Sequence, residues 1–242
     1  MADATAAGAK RQVNGSRPPS REAAEATISG HLGVSPGRTR NRTRRPVWGP
    51  PNVARTRVTL GLAGLLLTAL PLRRQRIGPG EARAFRAVNG LPEFLYRPTW
   101  VVMQFGALGG AWAFAALTYL RGRRQLALRL AEAGTVTWLL SKVVKRLVRR
   151  GRPASLLDGV RHRGKPARGL GYLSGHAGVA VALAGAALPG LSRRGRVSML
   201  TLVLLVGLAR IYVGAHLPLD VAGGAALGLA VDGALSLRDA RR

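Results

Sequence analysis

Six long apolar stretches, separated by short arginine-rich connections, constrain this chain more than any other feature. They run over residues 58–72, 98–120, 125–144, 173–191, 197–213 and 217–237. A bilayer-spanning helix takes about 20 mostly apolar residues. The pattern therefore predicts an all-α, polytopic membrane bundle with about six transmembrane helices. The formal net charge is +28 while 47% of residues are hydrophobic. A soluble domain with that charge would be a nucleic-acid binder or a disordered tail. Here charged and apolar residues occupy different places, which favours the membrane. Cysteine is absent, which excludes disulfides, thiolate catalysis and cysteine metal sites.

Residues 1–57 are rich in Pro, Gly, Ser, Ala and Arg and show no sustained apolar periodicity. They are expected to be a disordered basic tail, leaving 58–242 as the membrane domain. No small-residue cleavage site follows the first apolar stretch, so the tail is expected to stay attached. Attraction to anionic lipid headgroups accounts for its arginines without a nucleic-acid partner.

Orientation follows from the short loops. Arg121, Arg123 and Arg124, then Arg193, Arg194 and Arg196, and finally Arg238, Arg241 and Arg242 fall on the side of the tail. The positive-inside rule makes that side cytoplasmic. The expected setting is a bacterial plasma membrane, with both termini in the cytoplasm. The loops 73–97 and 145–172 then lie outside although both are basic, and the second of these calls for a functional reason. Residues 85–91 read equally as an interfacial amphipathic segment or as a plain connector. The Gly and Ala residues at 106–111 and 222–228 read as close helix packing.

Three motifs fall on the outer face. The first is Lys145-x6-Arg152-Pro153 at the end of the third stretch. An ammonium and a guanidinium together bind phosphate, although basic residues flanking a membrane helix more often anchor it at headgroups. The second is Ser174-Gly175-His176, just before the fourth stretch. A helix starting there offers backbone N–H groups to an anion, and the histidine is placed to protonate a leaving oxygen. An N-cap serine followed by an interfacial histidine is the competing reading. The third is Arg210-x5-His216-x3-Asp220, with Pro218 suited to a first helical turn. A carboxylate four residues after an imidazole reaches back to one ring nitrogen and leaves the other free as a nucleophile. No motif decides the matter by itself. Their common sidedness does, since two histidines, a carboxylate, a serine and three cations suit attack on phosphorus without a metal or other cofactor.

With these residues in hand, the sequence resembles the type 2 phosphatidic acid phosphatase family, membrane relatives of vanadium haloperoxidases and bacterial acid phosphatases. That family's signature reads K-x6-R-P, P-S-G-H and S-R-x5-H-x3-D. Here Leu173 replaces the proline of the second part and Ala209 the serine of the third. The resemblance implies His216 as a nucleophile forming a phosphohistidine, Asp220 as its orienting group and His176 as the acid that protonates the leaving group. It assigns Lys145, Arg152, Ser174, Gly175 and Arg210 to the phosphate oxygens, and makes 58–242 a membrane phosphatase domain. The implied substrate is a membrane lipid: phosphatidate, phosphatidylglycerol phosphate, or a polyprenyl phosphate or diphosphate. Alternatives are a lipid phosphotransferase with the same intermediate and a non-catalytic lipid-binding membrane protein. Neither the lipid nor the oligomeric state is legible in the sequence.

Other polar residues carry less. Glu132 and Asp232 lie inside spans and read as structural, with Arg129 a partner for Glu132. His162 reads as a solvated loop residue, and Trp48, Trp100, Trp112 and Trp138 as packing or interfacial residues.

Overall fold

The computed structural model of the protein describes residues 49–74 and 77–241. The expected disorder of residues 1–48, and their attachment to anionic headgroups, lie outside the described residues. Among the described residues every regular element is helical. We label the α-helices α1 (Pro51–Ala69), α2 (Pro79–Asn89), α3 (Tyr96–Gln104), α4 (Leu108–Leu120), α5 (Arg124–Val148), α6 (Gly175–Ala187), α7 (Arg193–Tyr212) and α8 (Pro218–Asp239).

Five of the six apolar stretches coincide with one helix each, and the remaining one is broken. α3 and α4 meet at 58° across residues 105–107. The break is packed in place: a Cβ on Gly106 would lie 2.4 Å from the His176 carbonyl oxygen, so the chain bends where it touches the start of α6. By length and composition α1, α7 and α8 can each cross a membrane, and the bent α3–α4 pair adds a fourth when it is counted as one span. α5 is long enough, but carries Arg129, Glu132, Lys142 and Lys145. α6 is apolar and short. Leu60, Leu66 and Leu67 of α1 and Leu200 and Leu204 of α7 are exposed, as lipid-facing side chains are.

The first helix begins at Pro51, seven residues before the expected boundary, so the expected end of the tail at Arg57 falls inside α1. Proline suits this first turn because its missing N–H would be unpaired anyway. Arg57 is accommodated because its guanidinium donates to Asp232 at 2.9 Å. Asp232 also receives Arg129 at 3.0 Å, so two arginines from α1 and α5 close on one buried carboxylate of α8. Glu132 takes Arg238 as its partner, through two hydrogen bonds, one of them 2.7 Å. Six of the seven acidic residues among the described residues (Glu81, Glu93, Glu132, Asp220, Asp232 and Asp239) hold an arginine in this way, which stitches charged positions into a bundle.

α6 and α8 approach through glycine. A Cβ on Gly228 would stand 2.2 Å from the Gly178 carbonyl oxygen, and one on Gly224 would stand 2.2 Å from that of Ser174. Small residues allow such contact between membrane helices, where packing, not water, drives association. The segment before α6 is pinned from the other side. Tyr172 lies buried against Gly223, with its hydroxyl 2.8 Å from Thr68 Oγ1 of α1.

Residues 85–89 of the stretch 85–91 belong to α2. It is an amphipathic helix that buries Ala82, Phe85 and Asn89 and exposes Arg83 and Arg86. Asn89 Nδ2 donates to the carbonyls of Arg161 and Tyr212, both at 2.9 Å, which ties α2 to the long loop and to the end of α7.

Candidate active site

The first motif is positioned by how α5 stops. The helix ends at Val148, before the proline, because Arg149 takes a left-handed conformation with φ 53° and its N–H returns to the Lys145 carbonyl at 3.0 Å. A left-handed residue commonly closes a helix, though a side chain other than glycine adopts it at a cost of about 1–2 kcal/mol. The turn sends Arg150 inward, where it is 2% exposed, and lays Arg152 across the following loop. Arg152 donates to the carbonyls of Arg168 at 3.0 Å, Gly169 at 3.1 Å and Ala215 at 2.7 Å. Burial lowers the pKa of its guanidinium, and Asp220 pulls it back. Lys145 Nζ donates to the Gly171 carbonyl at 3.1 Å and to that of Leu173.

The second motif opens α6 as its residues suggest. Ser174 is the N-cap, its hydroxyl accepting the Ala177 N–H at 3.4 Å, and Gly175 and His176 begin the helix. Leu173, in the place of the family's proline, is fully buried in the core beside Tyr172 and Ala182. Ala209, in the place of the serine, is buried against Met103, Tyr212 and Val213.

The third motif closes the turn between α7 and α8. The Arg210 carbonyl accepts the N–H groups of Ala215 and His216, both at 3.1 Å. Asp220 then works at several points. Its Oδ2 accepts the Leu217 N–H at 2.9 Å, capping α8, and its Oδ1 accepts Arg150 Nη1 at 2.8 Å. Its backbone carbonyl accepts the Ser174 N–H at 2.8 Å. Asp220 Oδ2 lies 3.6 Å from His216 Nδ1, which has no other partner. A shift of about 0.7 Å brings the pair into hydrogen-bond range. Burial, opposed by Asp220 and reinforced by Arg210 and Lys145, pushes the His216 imidazole down to about 3. It is therefore neutral near pH 7, the form a nucleophile requires.

His176 and Arg210 share the wall of a cavity of about 180 Å³ with Tyr96, Trp100, Met103 and Ala215. Arg210 donates through Nη1 to the Met103 sulfur at 3.2 Å, while its buried Nε has no protein partner. The three motifs thus meet through Asp220, Ala215 and the cavity. His162 is exposed on the loop and stands apart.

Two residues were missed in the sequence. Arg150 sits in a run of arginines in which nothing distinguishes it from Arg149. Glu81 lies in α2, far from any motif, yet accepts both Arg150 nitrogens at 3.0 and 2.7 Å. The one available signal was the scarcity of acids, ten in the chain, which makes any carboxylate between apolar stretches conspicuous. Trp100, read as a packing or interfacial residue, is a cavity wall.

The arrangement matches known proteins in sequence and in fold. The PAP2 superfamily profile matches residues 126–241. A crystal structure of LpxE from Aquifex aeolicus superposes with a TM-score of 0.59 at 25% identity, covering 65% of this chain and 94% of that one. The PAP2-type phosphatidylglycerolphosphate phosphatase of Bacillus subtilis superposes with a TM-score of 0.59 at 22% identity, covering 76% of this chain and 96% of that one, a likeness of fold. No curated protein sequence matches the chain. The matched segment holds both histidines, Asp220 and all the candidate phosphate ligands. Residues 126–241 of this membrane protein thus match the PAP2 superfamily, that of the type 2 phosphatidic acid phosphatases.

Proposed function

We propose that the protein hydrolyses a phosphomonoester or diphosphate of a membrane lipid through a phosphohistidine at His216. The observation that carries this reading is the position of Asp220, 3.6 Å from the Nδ1 of a buried, neutral His216. The free nitrogen of His216 attacks phosphorus, and the bond from phosphorus to the leaving oxygen breaks. His176 gives that oxygen its proton. Asp220 stabilises the cationic ring of the phosphohistidine. Water then attacks the same phosphorus and loses a proton to His176, and the P–N bond breaks to release inorganic phosphate. Arg210, with an unpartnered Nε, takes an equatorial oxygen. Ser174 and the N–H groups of Gly175 and His176 at the start of α6 supply further donors. Lys145 and Arg152 supply positive charge and hold the loops that shape the site.

A lipid substrate is favoured by a second, apolar cavity of about 260 Å³. Phe105, Phe114, Leu130, Ala180, Leu183 and Val203 line it, starting one helical turn along α6 from His176. It suits hydrocarbon beside a phosphate site. In this reading α1, the α3–α4 pair and α5 to α8 make six crossings, with both termini cytoplasmic and the site outside. The test is phosphate release by purified protein from phosphatidate, phosphatidylglycerol phosphate and a polyprenyl diphosphate. His216→Ala is expected to abolish it on every lipid cleaved by the native chain, and turnover by that variant removes the assignment of the nucleophile. Product analysis with added alcohol acceptors separates hydrolysis from phosphotransfer.

A further inference from the structure

The carboxylate that faces His216 is itself held from a distance. Arg150 is buried and forks, with Nη1 2.8 Å from Asp220 Oδ1 and its two terminal nitrogens 3.0 and 2.7 Å from Glu81. Glu81 is nearly buried and also accepts the Leu219 N–H at 3.1 Å, so both carboxylates cap the start of α8. Burial alone would lower the pKa of the Arg150 guanidinium; the hydrogen bonds and charges of Glu81 and Asp220 outweigh it and raise it.

We propose that Glu81 and Arg150 are positioning residues for the reaction at His216, acting through Asp220; this rests on His216 being the nucleophile. The physical reason is a charge requirement as well as an orientation. Arg150 fixes Asp220 Oδ1 and so leaves Oδ2 aimed at Leu217 N and the imidazole. An arginine on Asp220 with no counter-charge would neutralise the carboxylate and disfavour the positive ring that forms on attack. Glu81 restores the balance, because two carboxylates around one guanidinium leave one negative charge in excess. Three cations, Lys145, Arg152 and Arg210, surround the same site, which makes that excess worth keeping. α2, an outer helix with no motif residue, thereby becomes part of the catalytic apparatus.

Glu81→Gln tests the charge with little change of shape, and Arg150→Lys tests the fork while keeping the charge. Both are to be compared with the native chain and His216→Ala on one lipid phosphate in detergent micelles, per mole of protein folded by thermal unfolding. The expected result is a fall in kcat of about 10- to 100-fold, the scale of loss seen when an outer-shell partner that orients a metal-ligating side chain is removed. KM should stay within about twofold, since no substrate contact is lost. The double variant should be no slower than the slower single one, because both act through the same carboxylate. Native kcat in Glu81→Gln, or a loss that falls on KM alone, with His216→Ala inactive, overturns the inference and leaves the phosphatase reading standing. An active His216→Ala overturns both. If Glu81→Gln does not fold, Arg150→Lys decides on the same readout.

Discussion

The backbone N–H of Ser174 donates to the backbone carbonyl of Asp220 at 2.8 Å. That bond joins the start of α6 to the first turn of α8, and hence the motif carrying His176 to the motif carrying His216. It forms only because α8 presents Gly224 to the Ser174 carbonyl, where a Cβ would stand 2.2 Å away.

Gly224→Ala therefore forces the two helices apart at the site. Overpacking of this kind costs about 1–3 kcal/mol. The expected outcome is a lower melting temperature together with loss of phosphate release. Gly109→Ala, on α4 with nothing within 4 Å of the added carbon, is the control. It should hold activity and gain up to about 1 kcal/mol from helix propensity.

Acid should weaken the fold through His216. Its pKa is about 3 in the folded chain against an ordinary 6.5, so the unfolded chain binds a proton first as pH falls. Stability from this group is complete above about pH 6.5 and is lost as pH falls towards 3, with a limiting slope of about 1.4 kcal/mol per pH unit. Melting temperatures of the native chain and His216→Gln across that window check the sign. The difference between them should shrink in the native chain's disfavour as acid is added. A pH-independent difference contradicts the prediction.

Asp232 should matter to stability and not to turnover. It lies twelve residues beyond Asp220 on α8, about 18 Å along the axis. Asp232→Ala leaves Arg57 and Arg129 without their shared carboxylate, and breaking a buried pair costs about 3–5 kcal/mol. Thermal unfolding should show the loss, while kcat per folded molecule stays near native.

Arg149→Gly should stabilise the end of α5. Glycine adopts φ 53° freely, and relief of up to about 1 kcal/mol is expected, less what the Arg149 side chain gains from the Arg146 carbonyl at 3.1 Å. For a chain of this size about 1 kcal/mol is a rise of about 2–4 °C in Tm. A fall in Tm would show that the side-chain bond outweighs the backbone strain.

Much of this architecture is legible in hydropathy because lipid-facing and core-facing helices are both apolar. The positions of Lys145, Ser174, His176, Arg210, His216 and Asp220 at helix ends follow from the same pattern, since each motif borders an apolar stretch. The break at Phe105–Ala107 was not legible: its cause is the close approach of Gly106 to His176, a contact between residues distant in sequence. The early start of α1 was hidden for a similar reason. Arg55 and Arg57 read as tail until Asp232, on another helix, supplies the counter-charge for Arg57. Glu81 and Arg150 escaped because an ion pair between an outer helix and a loop has no periodicity to betray it.

The meeting of α6 and α8 at Gly178, Gly224 and Gly228 has an evolutionary consequence. The register between them is written in main-chain carbonyls, which every amino acid supplies alike. Only the glycines have to stay. The leucines on the outer faces of α1 and α7 can drift among apolar residues without moving His176 against His216. A bundle built so can keep its geometry while its sequence diverges.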